Sequence, residues 1–122
     1  MGLRDLHTTW SWVVILSNAA AGLWALGAHA RAALRTPALW WFTAAAQLSV
    51  FVEVTLGVVL LNREGIEAPQ FHMLYGFSAI VAVGIVYSYR QQLKDRQYLL
   101  YGLGGLFIMG LGIRAAFIGG GR

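Results

Sequence analysis

Four apolar stretches dominate this chain, each close to the ~20 residues a helix needs to cross the hydrocarbon core of a bilayer. They run over about 8–28 ("TTWSWVVILSNAAAGLWALGA"), 38–61 ("ALWWFTAAAQLSVFVEVTLGVVLL"), 70–89 and 98–118. In lipid the backbone has no water to bond, so a spanning segment must be a helix or part of a closed barrel. None of the four shows the alternating pattern of a barrel strand, so the expected fold class is all-α: an integral membrane, four-transmembrane-helix, up-down bundle. The connections are short, which makes sequential helices antiparallel neighbours. Residues 1–122 form one four-helix domain with no room for a second.

Helix starts are marked in the sequence. Asp5 is placed to cap the first helix, Thr36-Pro37 opens the second, and Pro69 sits at the first helical position of the third. The first apolar run exceeds the length of a signal-peptide core, so it is read as a span. Charged residues make up 11% of the chain, against about 25% in soluble domains. There is no cysteine, which excludes disulfides, thiolate metal sites and cysteine nucleophiles. No HExxH, GxSxG or P-loop occurs, so the chain is not expected to be an enzyme on its own.

The net charge of +4 would suggest a nucleic-acid partner in a soluble protein. Here the basic residues fall into two short loops, "HARAALRTP" with Arg31 and Arg35, and "RQQLKDRQ" with Arg90, Lys94 and Arg96. That distribution sets membrane orientation and leaves no nucleic-acid surface. On the opposite side Arg4, Asp5, Arg63, Glu64, Glu67 and Arg122 nearly balance. The basic loops are therefore expected in the cytoplasm, both termini on the non-cytoplasmic side, and the protein in the cell membrane as a multi-pass component. Trp10, Trp12, Trp40 and Trp41, near segment ends, read as an interfacial belt. Glycines 102, 104, 105, 110 and 112 make the fourth helix a close-packing surface, toward its own bundle, a second copy or a larger membrane complex.

With that topology, each helix contributes one ionisable residue to the outer half of the bilayer. These are His7 on the first helix, Glu53 on the second, His72 on the third and Arg114 on the fourth. An acid or arginine inside a membrane is costly facing lipid and normally pairs within the bundle. A structural polar pair of Glu53 with Arg114 is the simplest expectation. His7 and His72 lie at matched depth on helices diagonal across a four-helix core. Facing imidazoles could there ligate a haem iron axially, or join Glu53 around a smaller metal ion. Arg114 or Arg63 could then meet haem propionates, and Gly76 leaves space for a flat macrocycle. His7, Ser11, Val14 and Asn18 share a face of the first helix, with Ser11 and Asn18 expected to bond across the bundle. Ser49, Glu53 and Gly57 point inward from the second. His29 belongs to the other side of the membrane.

"LHTTWSW", "AQLSVFVEVTLG" and "FHMLYG" together resemble small four-helix bacterial membrane proteins of cytochrome b or cytochrome b561-like type. The resemblance implies His7 and His72 as axial ligands of one haem b. It departs from that type at His29, which lacks a partner for a second haem. Three functions follow as expectations: membrane redox chemistry through one haem b or metal, an accessory or assembly subunit of a larger membrane complex, or a small ion or solute transporter using Glu53.

Overall fold

The computed structural model describes residues 2–65 and 70–120. Every regular element among them is helical: α1 (Leu3–Ala30), α2 (Pro37–Glu64), α3 (Gln70–Ser88) and α4 (Gln97–Gly120), with 3-10 turns at Ala32–Leu34 and Lys94–Arg96. α1, α2 and the stretch Lys94–Ile118 are long and apolar enough to cross a membrane. α3 is the exception, with a shorter described apolar run, His72–Ser88. Pro69, expected to open α3, lies outside the described residues, as do Glu67 and Arg122.

α1, α2 and α4 outrun their apolar segments, because a helix continues as long as its backbone can bond internally. α1 begins at Leu3 with Gly2 as its cap, so Asp5 falls inside the first turn. It stabilises that end through its charge against the helix dipole rather than as the expected cap. Thr36 is extended (φ −117°, ψ 157°) ahead of Pro37 at the first helical position, where a missing N–H costs nothing. α2 stops at Gly65, left-handed at φ 63°, whose N–H bonds Leu61 O at 2.9 Å. A side chain there would be strained. The α1–α2 turn closes on Arg35, whose Nε donates to Ala28 O at 2.7 Å and whose guanidinium also reaches His29 O at 3.1 Å. These bonds satisfy carbonyls that the end of α1 would leave orphaned.

α1 packs most extensively on α4, then on α2, while α3 packs on α4 and meets α2 only sparsely. Neighbours run antiparallel: Arg4 bridges Glu64 at 2.9 Å at one end of α1–α2, and Asn18 donates to Ala46 O at 3.2 Å midway. One end of the bundle thus carries the start of α1 and the ends of α2 and α4. The other carries the two basic turns, and is called the loop end below.

The α1–α4 seam depends on missing side chains. A Cβ on Gly105 would fall 2.9 Å from Gly22 Cα and 3.0 Å from Asn18 O, and one on Gly22 would fall 2.9 Å from Gly102 O. Backbones this close require glycine on both sides. Gly104 likewise admits Val86, and Gly112 admits Ile15, so four of the five glycines expected to make a packing surface on α4 are occupied inside the chain. Only Gly110 faces open space.

Buried apolar residues are mostly small: Val14, Val50, Ala79, Ala82 and Val83 with Ile108 and Leu111 in one cluster, and Ala25, Ala28 and Leu39 toward the loop end. Leu16, Leu23, Leu48, Trp41, Phe107 and Phe117 face outward, each more than half exposed. A fold in water would bury these larger residues first. The inversion suits a molecule whose outer solvent is as apolar as its side chains.

The tryptophans do not act as one belt. Trp12 and Trp41 point outward, at 55% and 78% exposure. Trp10 turns inward and donates its Nε1–H to Ser49 O at 2.9 Å. Trp40 stacks against Tyr98 and Tyr101, with ring centres 5.3 and 5.1 Å away.

Candidate functional site

Three of the four ionisable residues expected near one another do come together, at the end of the bundle that carries the chain's N-terminus. His7 stands in the second turn of α1, Glu53 three turns before the end of α2, and His72 in the first turn of α3. His7 Nδ1 lies 3.2 Å from Glu53 Oε1, with the two side chains only 18% and 16% exposed. The contact is close but off the line of a directed hydrogen bond, so both atoms lack a well-aligned partner. The rings of His7 and His72 have centres 6.1 Å apart and stand nearly perpendicular, at 84°.

His72 is anchored separately. Its Nδ1 is 2.7 Å from Ala115 O on α4. A carbonyl only accepts, so this nitrogen carries a proton, and the tautomer the contact selects has its free nitrogen at Nε2. His7 has its Nδ1 toward a carboxylate, which leaves Nε2 as the outward nitrogen there as well. A carboxylate or backbone carbonyl on one ring nitrogen is what fixes tautomer and orientation in histidines that bind metal through the other.

Space around the rings is set by two glycines. A Cβ on Gly57 would lie 3.1 Å from His7 Cε1, so the ring rests where a side chain of α2 would otherwise be. Gly76, one turn beyond His72, has nothing within 4 Å of its missing Cβ. It lies on α3, whose contact with α2 is sparse.

The expected Glu53–Arg114 pair is not formed. α2 and α4 both pack on α1 with little contact of their own, and Glu53 has the imidazole of His7 beside its carboxylate instead. Arg114 is exposed, with its guanidinium 5.6 Å from the ring centre of Tyr75. Cation–π contact with Tyr75, one turn after His72, keeps it beside the site without entering it.

Three side chains around one metal ion is also not the arrangement. Among the described residues no three His, Asp or Glu side chains converge tightly enough to hold an ion. Glu53 is turned to the Nδ1 of His7, the nitrogen that a ligating ring would direct away from a metal, so it supports the ring instead of joining a ligand set.

Deeper in the bundle, Asn18 is 1% exposed and donates to Val14 O at 2.9 Å and to Ala46 O at 3.2 Å. Its expected role across the bundle is thus realised, whereas Ser11 bonds back to Thr8 O on its own helix. Ser49 does the same to Ala46 O, and Thr43 is buried with its hydroxyl unpartnered. Sequence reasoning missed Ala115 and Tyr75. A backbone carbonyl leaves no mark on sequence, since every residue has one. Known protein families, curated proteins and solved structures contain no match to this chain.

Proposed function

We propose that this is a multi-pass protein of the cell membrane that holds one haem b between His7 and His72, near the outer face, for membrane redox chemistry. The carrying observation is the 6.1 Å separation of the two ring centres. That spacing leaves room for one metal centre that His7 and His72 would hold between them. His72 Nδ1 has Ala115 O as its acceptor and His7 Nδ1 lies 3.2 Å from the Glu53 carboxylate, which leaves each Nε2 for ligation. Two imidazoles that no third side chain joins among the described residues suit a group that would bring its own further donors, as a porphyrin does.

The surrounding residues fit such a group. Open space at Gly76 lies beside the thinly packed α2–α3 seam, where a flat ring could enter. Arg114, exposed and next in sequence to the Ala115 that anchors His72, offers a cation to carboxylates on the rim. Bound haem would supply one-electron chemistry. The chain's own part is to orient both imidazoles, hold the His72 proton on Nδ1, and keep the Glu53 carboxylate against His7. Arg31 and Arg35 in one turn, with Arg90, Lys94 and Arg96 in the other, support a cytoplasmic loop end and both termini outside.

The test is the reduced-minus-oxidised visible spectrum of detergent-purified protein from haem-replete cells, with metal analysis of the same sample. A split α/β band that disappears in His7→Ala and His72→Ala, with both variants still inserted, is expected. A colourless, metal-free wild type would overturn the reading and turn attention to a role as an accessory subunit.

A further inference from the structure

A second feature lies at the loop end, away from the histidines. Between α3 and α4 runs a trough of about 420 Å³, walled by Val86, Leu93, Leu99, Leu103 and Phe107, with Arg96 at its mouth. Arg96, Leu99, Leu103 and Phe107 recur at three- and four-residue steps, so they line one face of the turn and α4. The eleven residues from Arg96 to Phe107 rise roughly 16 Å. That is about half of the ~30 Å hydrocarbon core, the depth of one leaflet. Leu103 and Phe107 are 56% and 60% exposed, so the trough opens to the surroundings of the bundle. Among the described residues no acidic side chain pairs with Arg96.

We infer that this trough is a binding site for one anionic phospholipid, its phosphate on Arg96 and one acyl chain laid along Leu99, Leu103 and Phe107. Charge and depth together select this occupant. An unpaired guanidinium at the membrane surface matches a phosphate, and the apolar wall below it has the length of one chain and no polar group to satisfy. A guanidinium donates two parallel hydrogen bonds to phosphate oxygens, which favours a phosphodiester anion over a zwitterionic head whose own ammonium competes. The inference rests on the membrane placement proposed above and is independent of haem.

Intact-complex mass spectrometry in detergent tests it, with phosphatidylglycerol and phosphatidylcholine offered in equal amounts and glycerol phosphate in a separate arm. The wild type should retain one phosphatidylglycerol in about fivefold preference, the ratio that ~1 kcal/mol from one basic side chain sets. Arg96→Gln should lose the preference, and Leu103→Trp, filling the trough from an exposed position, should lose the retained lipid. Arg31→Gln, a basic residue at the same end but outside the trough, should behave as wild type. Equal retention of the two lipids by the wild type would overturn the inference, as would full preference in Arg96→Gln. Binding of glycerol phosphate as tightly as the lipid would replace it with a soluble phosphate site. A dimer broken by Leu103→Trp, with no lipid retained by the wild type, would replace it with a self-association surface. A wild type that stays soluble without detergent and retains neither lipid would remove the membrane placement itself.

Discussion

Replacing Gly105 with alanine probes a backbone-to-backbone contact of the α1–α4 seam. The added Cβ would sit 2.9 Å from Gly22 Cα, 3.0 Å from Asn18 O and 3.1 Å from Gly22 N, all backbone atoms that cannot rotate away. α1 and α4 must separate by roughly 0.5–1 Å to restore ordinary contact, and a gap of that size forfeits a quarter to a half of each dispersion contact it opens. This is the most extensive helix pair in the bundle, so the cost belongs at the upper end of the ~1–3 kcal/mol typical of overpacking. Alanine's better helix propensity returns about 1 kcal/mol, leaving a net loss of about 2 kcal/mol. Gly110→Ala is the matched control, because its Cβ meets nothing within 4 Å and should be neutral or slightly stabilising. The assay is reversible unfolding of the detergent-solubilised protein with sodium dodecyl sulfate, followed by tryptophan fluorescence. If Gly105→Ala unfolds at the same midpoint as Gly110→Ala, the seam does not exist in this form. If it instead changes only the oligomeric state, the glycines face another chain rather than α1.

Other substitutions test single contacts. Gly57→Val places a branched side chain where the His7 ring rests, and it should abolish the haem signal expected of the wild type while the helical content by circular dichroism is unchanged. Asn18→Leu removes the bond to Ala46 O between α1 and α2; double-mutant cycles in membrane proteins put such bonds at about 0.6 kcal/mol, so a small loss in the same unfolding assay is expected, and one above about 1.7 kcal/mol would contradict it. Trp10→Phe deletes the donor to Ser49 O and should cost about 1 kcal/mol, whereas Trp12→Phe, at an exposed site, should be near neutral. The Arg4–Glu64 bridge is exposed on both sides, so a double-mutant cycle should return less than about 0.5 kcal/mol, falling further with added salt.

The four helices were legible because each answers a local requirement. A long apolar run has to satisfy its own backbone, and Pro37 marks a start that any neighbour would have to accept. The same reasoning foresaw that His7, Glu53 and His72 would share one end, since depth along a helix follows from residue count alone. Rotation about each helix axis and the order of helices around the bundle are a different matter. They depend on which surfaces can approach, and here Gly22 and Gly105 bring the backbones of α1 and α4 into contact along the most extensive seam of the bundle. That choice makes α1 the shared neighbour of α2 and α4. It gives Glu53 to His7 rather than to Arg114, hands His72 to the carbonyl of Ala115, and turns Trp10 inward while Trp12 faces out. The sequence by itself determined the helices, their antiparallel order and the end at which the polar groups gather. Tertiary packing alone decided which of those groups touch, because close approach is a property of two surfaces and neither helix carries it alone.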